Sequence, residues 1–141
     1  MSIQEYVRPQ AAELRRRLGE PRRVIQVVAG PRQVGKTTLV THVADTVGLP
    51  HVFASADEPT LRGPEWIETQ WEAARLRLRD RDAQGALLVL DEVQKVPRWS
   101  ETVKRLWDAD TRARRPLKVV LLGSAPLLIQ QGMTESSSSG L

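Results

Sequence analysis

The stretch from Val24 to Thr38, VIQVVAGPRQVGKTT, constrains this chain more than any other. Val24, Ile25, Val27 and Val28 make a run rich in β-branched residues, which predicts a strand buried on both faces. Gly30, Pro31, Arg32, Gln33, Val34, Gly35, Lys36 and Thr37 then carry the spacing G-x-x-x-x-G-K-[ST] of a phosphate-binding P-loop. Leu39, Val40, Val43, Ala44 and Val47 follow on one face of a helix. A strand before and a helix after is the setting this motif requires. A glycine-rich turn with an incidental lysine requires neither.

The spacing has a chemical reason. A nucleoside triphosphate tail concentrates several negative charges, and main-chain N–H groups turned inward as a nest are its simplest receptor. Gly30 opens the turn, and Gly35 lets the backbone approach the phosphates without a side chain in the way. The helix that starts near Gly35 adds the partial positive charge of its N-terminus. Lys36 is expected to reach the β- and γ-phosphates, Thr37 to offer its hydroxyl to Mg²⁺, and Thr38 to continue the binding segment.

A second motif lies downstream. Leu87-Leu88-Val89-Leu90-Asp91-Glu92 is a buried strand ending in two carboxylates, the Walker B pattern. Adjacent carboxylates repel unless a cation or a water network holds them. Asp91 is therefore expected to hold Mg²⁺, and Glu92 to orient or deprotonate the attacking water. Acidic residues often follow strands, so the pattern gains weight from its place after a P-loop, a strand and a helix.

The rest of the chain supplies the scaffold. Pro9 to Leu18 reads as a helix ended by Gly19, with its arginines facing out. Gly48-Leu49-Pro50 stops the P-loop helix. His51 to Ala56 reads as a strand closed by Asp57-Glu58-Pro59. Glu65 to Arg79 reads as an amphipathic helix with Ile67, Trp71, Ala74 and Leu78 on one stripe. Trp99 to Arg112 is a further helix with Val103, Leu106 and Trp107 inside, broken by Pro116. Val119 to Leu122 is a buried strand ending at Gly123-Ser124. Ser124 is either a sensor of the γ-phosphate at the carboxyl end of that strand or the N-cap of a helix from Ala125 to Gln131. His42 and His51 are isolated and are not read as catalytic. The tail from Ser136 is low in complexity and is expected to be flexible.

Composition bounds the function classes. The 141 residues suit one domain with a real core. With no cysteine, disulfides, thiolate catalysis and cysteine metal sites are excluded. No apolar run is long enough to span a bilayer, and no signal-peptide pattern follows Met1, so a cytoplasmic protein without a membrane partner is the expectation. The net charge of +4 gathers in arginine clusters at Arg15-Arg16-Arg17, Arg22-Arg23, Arg75 to Arg81 and Arg112 to Arg115. These suit either a nucleic-acid-facing surface or solvated helix faces with interleaved acids. The six aromatic residues do not alternate with the clusters as a base-stacking platform would. A protein or nucleic-acid partner and a homo-oligomer both stay open.

The order strand–P-loop–helix, strand–helix, strand-Asp-Glu, helix, strand-Ser resembles the AAA-type ATPases. It is most similar to prokaryotic AAA-type proteins that carry a C-terminal domain of unknown function. Those proteins show runs similar to Gly30 to Thr38, Ala56-Asp57-Glu58-Pro59, Leu90-Asp91-Glu92-Val93-Gln94-Lys95-Val96-Pro97 and Gly123-Ser124-Ala125. The resemblance covers Val24 to about Ser136. It implies a three-layer α/β P-loop fold, a parallel sheet of about four strands with the P-loop strand beside the Ser124 strand, and ATP with Mg²⁺ as ligands. It divides the chain into an N-terminal helical flank (1–23), a partial ATP-binding domain (24–135) and a flexible tail (136–141). The family's lid and arginine finger have no counterpart here, so the chain is expected to be truncated, with slow turnover and the P-loop strand left at a sheet edge. Arg112, Arg114 and Arg115 precede the Ser124 strand, on the rim away from the phosphates, and would have to be presented by a neighbouring subunit.

The leading expectation is ATP binding with Mg-dependent hydrolysis, and its rival is a nucleotide-dependent switch with little turnover. The Asp91-Glu92 pair favours water as nucleophile over a kinase acceptor. The Asn-Lys-x-Asp element of guanine specificity and the Leu-Ser-Gly-Gly-Gln signature of ABC proteins are both absent from the sequence.

Overall fold

The computed structural model describes residues 12–29, 36–56, 63–78 and 85–123. Residues 12–19 form a first helix, α1. There follow β1 (Gln26–Ala29), α2 (Lys36–Val47), β2 (His51–Ser55), α3 (Pro64–Arg77), β3 (Ala86–Asp91), a short 3-10 turn (Val93–Lys95), α4 (Trp99–Ala113) and β4 (Leu117–Gly123). The strands form one sheet in the order β1-β4-β3-β2, every neighbouring pair parallel. This is the α/β fold the motifs imply, with the P-loop strand next to the last one. Among the described residues no helix is long and apolar enough to cross a membrane.

Strand periodicity builds two cores at once. Successive side chains of a strand point to opposite faces. Leu88, Leu90, Val119 and Leu121 enter one core with Ile67 and Trp71 of α3 and Val103, Leu106 and Trp107 of α4. Leu87, Val89, Val120 and Leu122 enter the other with Leu14 and Leu18 of α1 and Leu39, Val40, Val43 and Ala44 of α2. Both faces of β3 and β4 are therefore dry, which is why these strands read as unbroken apolar runs. The first strand departs from expectation. It begins at Gln26 rather than Val24, and Val27 and Val28 are only half-buried. It pairs with β4 alone among the described strands, and its Gln26 Oε1 accepts a hydrogen bond from Arg17.

Two residues close the element ends. Gly48 takes φ +77° and donates to the Ala44 carbonyl, which ends α2 as its sequence suggests. Gly85 takes φ +92° immediately before β3, and a Cβ there would lie 2.0 Å from the Pro116 carbonyl oxygen. Main chain thus meets main chain where β3 and β4 begin.

Several arginines that suggest a charged surface are instead partly buried and engaged within the fold. Arg22 lies over the Trp107 ring at 3.5 Å and donates to the Leu117 carbonyl, the Thr111 hydroxyl and the Trp107 carbonyl. Burial holds its guanidinium below the ordinary arginine range, with Asp110 and Asp108 opposing the shift. Asp110 is fully buried and accepts from Trp71 Nε1 at 2.8 Å, from Arg75 Nε at 2.9 Å and from Arg115 at 2.9 Å. It clamps α3 to α4. On the other face Lys118 Nζ, held below the ordinary lysine range by burial, donates to the Leu18 carbonyl at 2.6 Å and closes the end of α1. Arg16 and Arg17 stay exposed, paired with Glu13 and, for Arg16, with Glu20.

Asp110→Ala leaves Arg75 and Arg115 without their shared buried carboxylate. We expect a loss of about 3–5 kcal/mol in urea unfolding. A loss below about 1 kcal/mol would show that the clamp is dispensable.

Candidate functional site

The carboxyl ends of the strands gather the chemistry. α2 packs on one face of the sheet and α4 on the other. Between the strands that feed them, β1 and β3, lies the end of β4, and ligands of open parallel sheets sit outside such a switch point. In register at this rim are Ser55 with Asp91, Asp91 with Leu122, and Ala29 with Gly123. Two main-chain bonds then extend the ladder past the strand. Ala56 N–H donates to the Asp91 carbonyl at 2.9 Å, and Glu92 N–H donates to the Leu122 carbonyl at 2.8 Å. The acidic pair is thus pinned from both sides by backbone alone.

The two carboxylates have different surroundings. Asp91 is half-buried, and its Oδ2 accepts from the Ser55 hydroxyl at 3.1 Å. Glu92 is 4% exposed and takes φ 56° and ψ 38°. A non-glycine residue in this left-handed region costs about 1–2 kcal/mol. It breaks the strand abruptly and starts the Val93–Lys95 turn, whose Lys95 N–H returns to the Glu92 carbonyl. Buried Val93 and Val96 hold that turn in the α3–α4 core. Strain at this one residue is therefore sustained by the ladder before it and the packing after it.

Gln94 is the neighbour that the sequence did not single out. It is 7% exposed, and its Nε2 donates to Glu92 Oε1 at 2.7 Å. A carboxylate only accepts, so the amide must present its nitrogen. Its Oε1 is left buried with no partner among the described residues, at a cost of about 1–3 kcal/mol. Ser55 was also missed. Its signal was its place at the end of an apolar strand, level with Asp91, but that level appears only once the β2–β3 register is known.

The remaining expected residues divide clearly. Gly30, Pro31, Arg32, Gln33, Val34 and Gly35 lie outside the described residues, as do the Asp57-Glu58-Pro59 turn, Ser124, the helix expected from Ala125 and the tail. The backbone of Lys36 and Thr37 opens α2, and Thr38 is exposed with its carbonyl accepting from Thr41. The chain from Gly30 to Gly35 therefore joins the carboxyl end of β1 to the first turn of α2. Among the described residues no group of three or more His, Asp or Glu side chains is placed to hold a metal ion by itself.

Comparison with known proteins agrees with this fold. A family model described as an AAA domain matches residues 22–139. No curated protein matches the chain. Among solved structures, the Orc1 protein of Aeropyrum pernix in complex with DNA is similar with a TM-score of 0.66 at 17% identity, over 96% of this chain and 42% of that one. A RuvB variant of Thermotoga maritima is similar with a TM-score of 0.53 at 18% identity, over 87% of this chain and 38% of that one. A second RuvB variant gives 0.51 at 17% identity with the same coverage. At these identities the likeness is one of fold, and this chain spans less than half of either protein.

Ser55→Ala removes a hydrogen-bond donor from a half-buried carboxylate. We expect a loss of about 1–2 kcal/mol in urea unfolding, with Ser55→Thr losing less. Equal stability of the Ala variant and the parent would show that Asp91 does not depend on this hydroxyl.

Proposed function

The chain belongs to the AAA domain family of P-loop ATPases, and from that premise we propose that it binds ATP with Mg²⁺ and hydrolyses the β–γ phosphoanhydride bond. One observation carries the reading. Main-chain bonds fix Asp91 and Glu92 at the rim of the sheet that the Gly30–Gly35 segment also leaves on its way to α2.

The roles follow from the donor chemistry. The Gly30–Gly35 backbone and the start of α2 would cradle the phosphates, and Lys36 would meet the β- and γ-oxygens. Thr37 and Asp91 are hard oxygen donors, and Mg²⁺ needs only one or two such protein ligands beside phosphate and water. When bound, the ion would neutralise charge on the phosphate oxygens. Glu92 would take a proton from the attacking water while the water oxygen bonds to the γ-phosphorus. The bond to the β–γ bridging oxygen then breaks and ADP leaves. Ser124, one residue beyond β4, would meet the γ-phosphate.

A switch with little turnover is the second reading. What favours it is that one Glu92 oxygen already accepts a hydrogen bond from Gln94. The two readings part at the rate of the chemical step, not at ATP binding.

Lys36→Ala removes the charge-assisted phosphate contact. We expect ATP affinity to fall roughly tenfold to a hundredfold, about 1.5–3 kcal/mol, in titration with a fluorescent ATP analogue. Unchanged affinity would sink the assignment of the loop. Glu92→Gln is expected to keep ATP bound and stop phosphate release, because an amide cannot accept the proton. Asp91→Asn is expected instead to raise the Mg²⁺ concentration needed for tight binding. Phosphate release from Glu92→Gln at the parental rate would place the base elsewhere.

A further inference from the structure

Gln94 has no part in the chemistry so far, yet it touches the residue at its centre. Its Nε2 holds Glu92 Oε1 at 2.7 Å, and its Oε1 is buried with no partner among the described residues. Buried acceptors are nearly always satisfied, so an orphan marks the place of a donor that arrives with ligand or solvent. The place is narrow. Both ends of one amide are fixed by the grip on Glu92, so any donor to Oε1 stands beside the Glu92 carboxylate. The turn that carries Gln94 is anchored by Val93 and Val96, at 0% and 1% exposure.

A water molecule has the two donors that this pair of acceptors calls for. It can give one O–H to the carboxylate and the other to the amide oxygen. Both hydrogens are then engaged, and only lone pairs remain to face an electrophile. A hydroxyl or ammonium group lacks that combination of small size and two donors with a free nucleophilic lone pair.

We propose that Gln94 is a positioning residue of the hydrolytic site. Its Nε2 fixes the Glu92 carboxylate, and its Oε1 holds the second hydrogen of the water that Glu92 deprotonates. The inference rests on Glu92 being the base. One water proton passes to Glu92, and the oxygen forms its bond to the γ-phosphorus as the bond to the bridging oxygen breaks. The second hydrogen stays on the transferred oxygen, and Gln94 neither gains nor loses a proton.

The test is single-turnover phosphate release from Mg-ATP by the full chain. Gln94→Met conserves volume and removes both hydrogen-bonding atoms. We expect the saturated rate to fall about tenfold to a hundredfold, within the range of a lost acid–base arrangement, while the half-saturating concentration stays within about twofold. The melting temperature should move little, because the lost Nε2 bond to Glu92 is offset by removal of the unpartnered buried oxygen. Gln94→Asn restores the amide one methylene short and should fall between parent and Met variant. Should Gln94→Met fail to fold, Gln94→Asn decides alone by the same split of rate from affinity. Adding Gln94→Met to Glu92→Gln should leave whatever residual release that variant retains unchanged, since Gln94 acts through Glu92. Parental rate in Gln94→Met, multiplicative losses in the double variant, or a rate loss matched by lost ATP affinity would each overturn the positioning role and leave Glu92 as base. Parental rate in Glu92→Gln, or a parent chain that binds ATP and releases no phosphate, would overturn the base assignment and this inference with it.

Discussion

The hydrogen-bond ladder that β3 makes on both of its edges is the constraint on which the other parts depend. From Ala86 to Leu90 every residue is fully buried, between β2 on one side and β4 on the other. A strand so enclosed cannot slip by one residue without exchanging its two faces, because Leu88 and Leu90 belong to one core and Leu87 and Val89 to the other. The height at which Asp91 and Glu92 leave the sheet is therefore set by packing far below them. The Ala56–Asp91 and Glu92–Leu122 bonds carry that setting one step past the strand. The left-handed turn at Glu92 is affordable only because both sides of it are already held.

β3 ends at the carboxyl rim in two acids, Asp91 and Glu92. Toward the opposite end, Arg22, Arg75 and Arg115 are consumed by Trp107, Asp110 and nearby carbonyls. These cations hold α3, α4 and the start of β4 together, so they are not a surface awaiting a polyanion. The excess of arginine over acid thus overstates the positive surface that a partner would meet. The Arg16 and Arg17 side chains, though exposed, face Glu13.

The strand and helix on either side of Gly30 to Gly35, and the strand that ends in Asp91-Glu92, were legible because each belongs to a local pattern with a fixed spacing. That the P-loop strand lies beside the last strand was legible only through the resemblance to AAA-type ATPases, and the sheet bears it out. Element ends moved by one or two residues, as ends do when fraying and packing compete. What stayed hidden was contact at long sequence separation. Asp110 looks like any polar residue on a helix, and nothing local says that Trp71 and Arg75 converge on it. Gln94 and Ser55 are similar cases. An amide two residues past a carboxylate and a serine at a strand end gain a role only when the turn and the register bring them to Glu92 and Asp91. Arg22 was misread for the complementary reason, since sequence counts its charge and cannot see the tryptophan beneath it.

Hydrogen–deuterium exchange with and without Mg-ATP tests most directly whether the nucleotide sits at the carboxyl rim. The first N–H groups of α2 have no partner within the helix, and phosphate oxygens that accept from them slow their exchange. With saturating Mg-ATP, protection is expected in peptides covering residues 30–39 and 91–96. None is expected in residues 108–117, at the opposite end of the sheet, where Asp110 holds Arg115. Protection confined to that opposite rim, or no change anywhere despite measured ATP binding, would contradict the account.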